Sequence, residues 1–218
     1  FQEQGLPAGS WNVTVNGNTY TANAGQDINV TLPLVTSSGQ YPVYSWSTPA
    51  SITVTYTVTH YYRGHSWKQT VTQTYYPLPT SGTISASYIA EWGLQPITID
   101  YSTNPPVTFE ATGLPSNTPS NQPILIANGQ TYTYSQLPVT FRVSPGSTVS
   151  YTWLPISEGT GVRLGVSPES GSVTVNTATT IVGNYNTQYY LSTSAAPIDT
   201  TGWTVTGWWY IPDWWYAF

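Results

Sequence analysis

Apolar and polar residues alternate along most of this chain with a period of two. Residues 11–16 read Trp-Asn-Val-Thr-Val-Asn, and residues 52–58 and 172–175 continue the same alternation. Successive side chains of a β-strand point to opposite faces of a sheet, so this period predicts half-buried strands. No stretch keeps the 3.6-residue period of an amphipathic helix, and the abundant Thr, Val, Tyr and Trp favour strands. The pattern therefore predicts an all-β protein.

The alternating runs fall into two copies of one longer pattern. Residues 1–7, FQEQGLP, match residues 109–115, FEATGLP, and residues 16–21, NGNTYT, match residues 128–133, NGQTYT. Three further matches follow in the same order: residues 44–49 with 151–155, residues 81–84 with 170–173, and residues 88–94 with 185–191. Matches that keep their order along the chain indicate an internal duplication.

The duplication predicts two tandem immunoglobulin-like β-sandwich domains with a strand-forming terminal tail. Domain one covers residues 1–104, domain two residues 105–199, and the tail residues 200–218, with two prolines stiffening the junction. The Asn-Gly dipeptides predict type I′ hairpin turns, because both central residues of such a turn need positive φ. Domain one also carries an insertion, a long hairpin over residues 55–76, where domain two has a short loop.

Charged residues are scarce, and this scarcity indicates the kind of medium in which the protein is folded. Asp, Glu, Lys and Arg make up 6% of the chain, while 15% aromatic and 39% hydrophobic residues exclude a disordered protein. A surface of hydroxyl and amide groups does not titrate, so few groups bind protons on unfolding in acid. We therefore expect a protein of an acidic external medium. The alternative is a Thr-rich β protein from any extracellular setting.

The remaining composition favours an extracellular location. The chain has no Cys and no Met, which suits an oxidising exterior. No apolar run approaches the roughly 20 residues of a membrane helix, so we expect no membrane span. Four basic residues and a net charge of −5 argue against nucleic acid as a partner. Because no leader is visible, we expect a mature secreted chain.

The motif Phe-x-Glu-x-Gly-Leu-Pro followed by Trp-x-Val-x-Val-Asn-Gly, residues 1–17, resembles the β-sandwich repeats of archaeal secreted proteins. These include repeats attached to thermopsin-type acid proteases, and the resemblance covers residues 1–191. In size, domain number and low charge the chain looks most like the subunit of an archaeal thread-type pilus. That resemblance implies filaments linked by donor strands, with an N-terminal donor. Here the motif begins at Phe1, which leaves open which end donates.

The two copies differ at their first strand. Residues 105–108 precede Phe109 in the second copy, and Phe1 has no counterpart of them. The tail offers a spare strand rich in large apolar residues: Trp203, Val205, Trp208, Trp209, Tyr210, Ile211, Trp214, Trp215, Tyr216 and Phe218. We predict that about residues 200–218 dock against domain one of the next subunit, Phe1 included, and build a homopolymer. Alternatively, the tail folds back onto domain two or stays disordered, or residues 1–16 are the donor.

Two sequons make Asn12 and Asn29 candidate sites for N-linked glycans. Both are predicted in strands with polar faces. His60 and His65 flank a turn near the single lysine, Lys68, and a metal site would need at least three convergent ligands. We expect these three side chains to be exposed hairpin residues, with no metal and no cofactor.

The acidic residues do not suggest catalysis. Glu3 and Glu110 are assigned the same motif position in the two copies, and a repeated carboxylate suggests a structural contact with a turn backbone. Both histidines belong to one hairpin, so the sequence does not predict a Ser/His/Asp catalytic triad. We expect no enzyme, but a subunit of a cell-surface filament for adhesion or cell–cell contact. The rival readings are a carbohydrate-binding or adhesin module and a domain pair associated with an S-layer.

Overall fold

The computed structural model describes residues 1–194 and 204–209. The chain forms two compact units, Phe1–Pro105 and Pro106–Phe218. Each unit is built almost entirely from strands arranged in separate sheets, which confirms the predicted all-β class and the two-domain β-sandwich arrangement.

Unit one contains eight strands in two four-stranded sheets. They are β1 (Gln2–Gln4), β2 (Ser10–Val15), β3 (Asn18–Asn23), β4 (Val43–Ser47), β5 (Ile52–Tyr62), β6 (His65–Leu78), β7 (Ser81–Ser85) and β8 (Thr98–Ser102), with helix α1 (Ala86–Trp92) between β7 and β8. The sheet orders are β1-β8-β6-β5 and β3-β2-β4-β7. The β1–β8 pair is parallel, whereas β8–β6 and β6–β5 are antiparallel.

Unit two repeats this arrangement with additions at its edges. Its described strands are β9 (Pro106–Thr112), β10 (Pro123–Ala127), β11 (Gln130–Thr133), β12 (Val139–Arg142), β13 (Ser147–Trp153), β14 (Ile156–Gly159), β15 (Val162–Ser167), β16 (Ser170–Val175), β17 (Thr179–Ser194) and β18 (Thr204–Trp209), with a 3-10 turn at Tyr134–Gln136. One sheet has the order β11-β10-β13-β16 and the other β12-β9-β17-β15-β14, with β18 on β17. Strand β9 therefore takes the place of β1, and β17 that of β8.

The alternation predicted from the sequence is visible in the burial of individual strands. Trp11, Val13 and Val15 of β2 are almost completely buried, while the residues between them are half exposed. Each unit has its own apolar cluster, which contains Trp11, Ile99 and Tyr101 in unit one and includes Phe109 and Trp153 in unit two. The apolar face of β2 is thus directed toward the core of unit one.

The predicted hairpin turns are confirmed. Asn16 and Gly17 have φ of 48° and 82°, and Asn128 and Gly129 have φ of 49° and 76°. Positive φ at both central residues is the signature of a type I′ turn. The turn of the long hairpin has the same form, between β5 and β6.

Two of the predicted repeat matches are wrong. Gly82 lies against the side chain of Trp46, and Gly171 lies against that of Tyr151, so Trp46 corresponds to Tyr151 and not to Trp153. The error is two residues, a shift that leaves the inward and outward pattern of a strand unchanged. The sequence pattern alone could not detect it.

The second wrong match involves Tyr185. Gly5 lies against the backbone oxygen of Tyr101, and Gly113 lies in the same way against that of Tyr185. Tyr185 therefore corresponds to Tyr101, whereas Tyr88 lies in helix α1. With the glycines aligned, Glu3 corresponds to Ala111, so the shared position assigned to Glu3 and Glu110 is also wrong.

Helix α1 has no counterpart in the predictions. It spans seven residues, buries Ala86, and ends at Gly93, whose φ is 80° and whose N–H donates to the carbonyl of Ile89. Glycine at this position tolerates the left-handed conformation that closes a helix. Two turns are too short to establish a 3.6-residue period in the sequence, which is why the helix was missed.

Candidate assembly site

The first strand of unit two lies between two partner strands. Val107 pairs with Phe141 of β12 on one side and with Thr179 of β17 on the other. Both Val107 and Phe109 are fully buried. The residues that precede Phe109 are therefore an integral part of the sheet and of the core of unit two.

In unit one, Phe1 lies where Phe109 lies in unit two. Its amino group donates to the carbonyl of Ile28 over 2.8 Å, and the N–H of Ile28 donates back to the Phe1 carbonyl over 2.9 Å. On the other side, the N–H of Gln2 donates to the carbonyl of Ile97 over 2.9 Å. Ile28 thus corresponds to Val139, the residue that pairs with Phe109.

Both flanks continue past the level of Phe1, and none of the described strands lies between them there. We call the gap between residues 29–32 and residues 94–97 the open edge slot. Val30 and Leu32 pack against the core of unit one, as Phe141 and Val143 do in unit two. Within the described part of the chain, no backbone hydrogen bond joins residues 29–32 to a strand. Among the described residues, none takes in unit one the position that residues 106–108 occupy in unit two.

The ladder pattern identifies the backbone groups that face the slot. Residues of an antiparallel pair exchange hydrogen bonds at every second position. Ile28 exchanges two hydrogen bonds with Phe1. The N–H and C=O of Val30, two residues further along, therefore face the slot. On the side of the parallel partner, the N–H of Gln2 donates to the carbonyl of Ile97. In a parallel ladder, the N–H of Ile97 and the C=O of Gln95 then face the position two residues before Gln2. Pro96, which has no N–H, lies at a position that does not bond across the slot.

Large exposed apolar side chains lie along the chain on both sides of the slot. Leu34 and Val35 follow the flank of residues 29–32 and are 45% and 50% exposed. Trp92 lies just before the flank of residues 94–97 and Leu94 begins it, and these two side chains are 64% and 79% exposed. In unit two, the described large apolar residues with comparable exposure are Ile126 and Tyr190. An apolar rim beside unpaired strand edges is typical of a surface that binds another chain.

At the end of the slot where Phe1 lies, aromatic packing and hydrogen bonds to the Glu3 carboxylate stabilise the structure. The Phe1 ring meets the Trp46 indole edge to face at 5.3 Å between centroids. Burial lowers the pKa of the Phe1 amino group, and the nearby carboxylate of Asp27 opposes that shift. Glu3 accepts the N–H of Leu6 over 2.6 Å and the N–H of Gly25 over 2.8 Å. The predicted structural role of Glu3 is confirmed, although Glu110 does not share it.

Part of the tail pairs within its own chain. Strand β18 is antiparallel to β17, with partners from Tyr189–Trp209 to Ser194–Thr204. Strand β15 pairs with β17 only as far as Tyr189, so the β17–β18 ribbon continues past that neighbour. Residues 204–209, which include Val205, Trp208 and Trp209, thus pair with β17 of their own chain, the arrangement that the fold-back alternative describes. The other tail residues predicted at an interface lie outside the described residues: Trp203, Tyr210, Ile211, Trp214, Trp215, Tyr216 and Phe218.

The two candidate glycosylation sites lie in different surroundings. Asn12 is half-buried in β2, as predicted, and its backbone carbonyl accepts the hydroxyl of Thr48 over 3.0 Å. Asn29 is exposed but lies outside the assigned strands, which corrects its predicted placement. It follows Ile28 directly and belongs to a flank of the open edge slot. A glycan at Asn29 would therefore stand beside the slot.

The sequence contained a signal for the slot that the repeat matches overlooked. Ile28, Val30 and Leu32 alternate in the same way as Val139, Phe141 and Val143. In unit one this alternation ends at Pro33, and no turn dipeptide such as Asn-Gly follows it directly. The sequence pattern alone therefore does not identify these residues as the flank of a strand. Only the hydrogen bonds between Phe1 and Ile28 reveal which residues face each other.

Comparison with known proteins gave no match to a family model, a curated protein or a solved structure. Within the described ranges, no helix is long and apolar enough to cross a membrane. The same residues contain no group of three or more His, Cys, Asp or Glu side chains that could hold a metal ion.

Proposed function

We propose that this chain is a structural subunit of an extracellular filament, assembled by strand addition at the open edge slot. The observation that carries the proposal is the pair of flanks, residues 29–32 and 94–97, which no described strand joins and which exposed apolar side chains border. Residues 106–108 complete the sheet of unit two, and no described residue does so in unit one. A strand from a second copy would complete unit one in the same way.

The energetic gain from filling the slot is large enough to drive assembly. Each ladder bond made to Val30, Ile97 or Gln95 contributes about 0.5–1.5 kcal/mol net. An inward apolar side chain in the place of Val107 contributes about 1.5–3 kcal/mol. Coverage of the exposed Leu34 and Leu94 adds further apolar burial. Because donor and acceptor are different surfaces of one chain, the contact repeats head to tail and generates an open filament.

The proposed donor is the end of the tail, residues 210–218. Residues 204–209 pair with β17 of their own chain, which leaves the segment Tyr-Ile-Pro-Asp-Trp-Trp-Tyr-Ala-Phe as the strand to be donated. Alternate side chains of a strand point to opposite faces. One set, either Trp214, Tyr216 and Phe218 or Trp215 and Ala217, would therefore enter the core of the neighbour.

The proposal is tested by completing unit one within the same chain. Pro-Pro-Val-Thr, the sequence of residues 105–108, is placed directly before Phe1, and a matched control carries Gly-Ser-Gly-Ser there. We expect the chain of 218 residues and the control to form fibres of uniform width in electron micrographs. The completed variant should remain monomeric in size-exclusion chromatography and unfold at a higher temperature.

Deletion of residues 210–218 tests the donor separately. The shortened chain should remain monomeric, and adding the nine-residue peptide should raise the unfolding temperature of unit one but not that of the completed variant. A dispersed, monomeric 218-residue chain at millimolar concentration would refute the filament proposal. Fibres that persist in the completed variant would refute the slot as the acceptor.

Low charge and the absence of Cys and Met support the extracellular setting and the acidic medium. A hydroxyl-rich surface keeps its charge state from neutral pH to acid, so filament contacts built on it would persist in both. Adhesion or cell–cell contact is the role we propose for such a filament.

A further inference from the structure

The long hairpin of unit one carries a concentration of positive charge that the filament proposal does not use. Arg63 and Lys68 are two of the four Lys and Arg residues of the chain, and His60 and His65 are its only histidines. Residues 49–78 contain no Asp or Glu. The whole chain has a net charge of −5, so the +2 of this hairpin leaves −7 on the remainder.

Three exposed aromatic side chains lie among these basic groups. Tyr61, Tyr62 and Trp67 are 80%, 61% and 54% exposed. The Trp67 indole stacks on the imidazole of His60, with 5.2 Å between centroids and 17° between planes. The guanidinium of Arg63 lies 5.3 Å from the centre of the Tyr62 ring. The Trp67 and Tyr62 rings thus each contact a basic side chain, while much of the surface of all three rings faces solvent.

The register assigns these groups to the two faces of the hairpin. His60 pairs with Trp67, and Tyr62 pairs with His65, so these four side chains share one face. The imidazole of His60 also forms a hydrogen bond with the amide oxygen of Gln69 over 2.8 Å. Tyr61 and Lys68 lie on the opposite face by the alternation of strand side chains. Each face of the tip therefore combines an aromatic ring with a basic group.

We propose that the tip of this hairpin, residues 60–69, binds an anionic polysaccharide. Aromatic faces accept the C–H faces of sugar rings, and Arg and Lys pair with carboxylate or sulfate groups. The Thr and Gln side chains along both strands offer hydroxyl and amide groups to sugar hydroxyls. A lipid surface fits less well, because residues 59–69 include no Leu, Ile, Val or Phe to enter hydrocarbon.

Binding of polygalacturonate, a polymer of a uronic acid, tests this proposal with the full chain. Affinity electrophoresis compares polygalacturonate with uncharged dextran at low and at high salt. We expect retardation by polygalacturonate alone, weakened by salt because exposed charges are screened. Retardation that is equal in dextran, or absent in polygalacturonate, would overturn the proposal.

Matched variants locate the site. Trp67→Ala should weaken binding about three- to tenfold, whereas Tyr41→Ala removes a similarly exposed aromatic ring, 55% exposed, elsewhere in unit one and should leave binding unchanged. Arg63→Gln combined with Lys68→Gln should weaken binding about tenfold at low salt, and Arg142→Gln serves as the charge control. Unchanged thermal unfolding of each variant excludes loss of the fold.

The same variants distinguish other partners. If they lose binding to vesicles of anionic phospholipid as strongly as to polygalacturonate, a lipid surface is the ligand and the saccharide proposal is wrong. If Tyr41→Ala and Arg142→Gln weaken binding as much as the hairpin variants, the tip is not the site. The test does not depend on filament formation, because the completed monomer that carries Pro-Pro-Val-Thr before Phe1 retains the same hairpin.

Discussion

The glycine of the repeated Gly-Leu-Pro motif can be tested by adding one methyl group. Gly113 has a φ of +77°, and a Cβ at this position would meet the backbone oxygen of Tyr185. Gly113→Ala therefore incurs two costs. A non-glycine residue in the left-handed region costs about 1–2 kcal/mol, and moving strand backbone to admit the methyl group costs about 1–3 kcal/mol. We expect unit two to lose about 2–5 kcal/mol of unfolding free energy.

Gly129→Ala is the matched control, because it isolates the first cost. Gly129 has a φ of +76° and no neighbouring atom within 4 Å of an added Cβ. Only the backbone term applies, so this variant should lose about 1–2 kcal/mol. Gly5→Ala should reproduce the larger loss in unit one, where the added Cβ would meet the backbone oxygen of Tyr101.

Hydrogen exchange followed by mass spectrometry measures these losses separately for each unit. Peptides from β9 and β17 report unit two, and peptides from β2 and β8 report unit one. In Gly113→Ala, exchange should accelerate in unit two only. Equal effects of Gly113→Ala and Gly129→Ala would show that contact with Tyr185 contributes nothing, and the structural reading of the motif would be wrong.

Three further substitutions test the cores and the turn contacts. Gly183→Ala should destabilise unit two by about 1–3 kcal/mol in urea unfolding, because its Cβ would lie 2.6 Å from the Trp153 ring; a neutral effect would contradict the packing. Burial raises the pKa of Tyr185, because it disfavours the phenolate in the folded state. The contribution of the neutral Tyr185 hydroxyl to the free energy of unfolding is therefore fully present below the unfolded pKa near 10 and is lost as pH rises further. Tyr185→Phe should lower stability at pH 7 by about 1 kcal/mol, since the single hydroxyl proton is donated to the carbonyl of Leu154, 2.9 Å away, or of Ile124, 3.1 Å away. The variant should also flatten the loss of stability at alkaline pH, and an unchanged loss would refute this. Glu3→Ala should lower the melting temperature of unit one, whereas Glu91→Ala at an exposed site should not, and equal melting temperatures would count against the turn contact.

The sequence predicted the local features because local physics decides them. The period of two follows from the geometry of a strand, and the Asn-Gly turns follow from the need for positive φ at Asn16 and Asn128. The long hairpin was predicted over residues 55–76, and β5 and β6 extend it to residues 52–78. These features need no knowledge of which strand lies beside which.

The alignment of the two copies required the tertiary structure. A strand pattern repeats itself after two residues, so matching Trp46 with Trp153 satisfied the sequence as well as the correct match with Tyr151. The close approach of Gly82 to Trp46 and of Gly171 to Tyr151 removes that ambiguity. Contacts with a glycine fix the register where alternation cannot.

What the sequence by itself determined is the class of the fold and its duplication. What only the tertiary structure decided is the neighbour of each edge. The sequence does not distinguish Ile28 from other apolar residues, and only its hydrogen bonds with Phe1 place it beside the first strand. By sequence, residues 204–209 could pair with either unit, and the register places them on β17. Strand pairing joins residues far apart in sequence through backbone groups that every residue shares, so the order of side chains does not specify the partner.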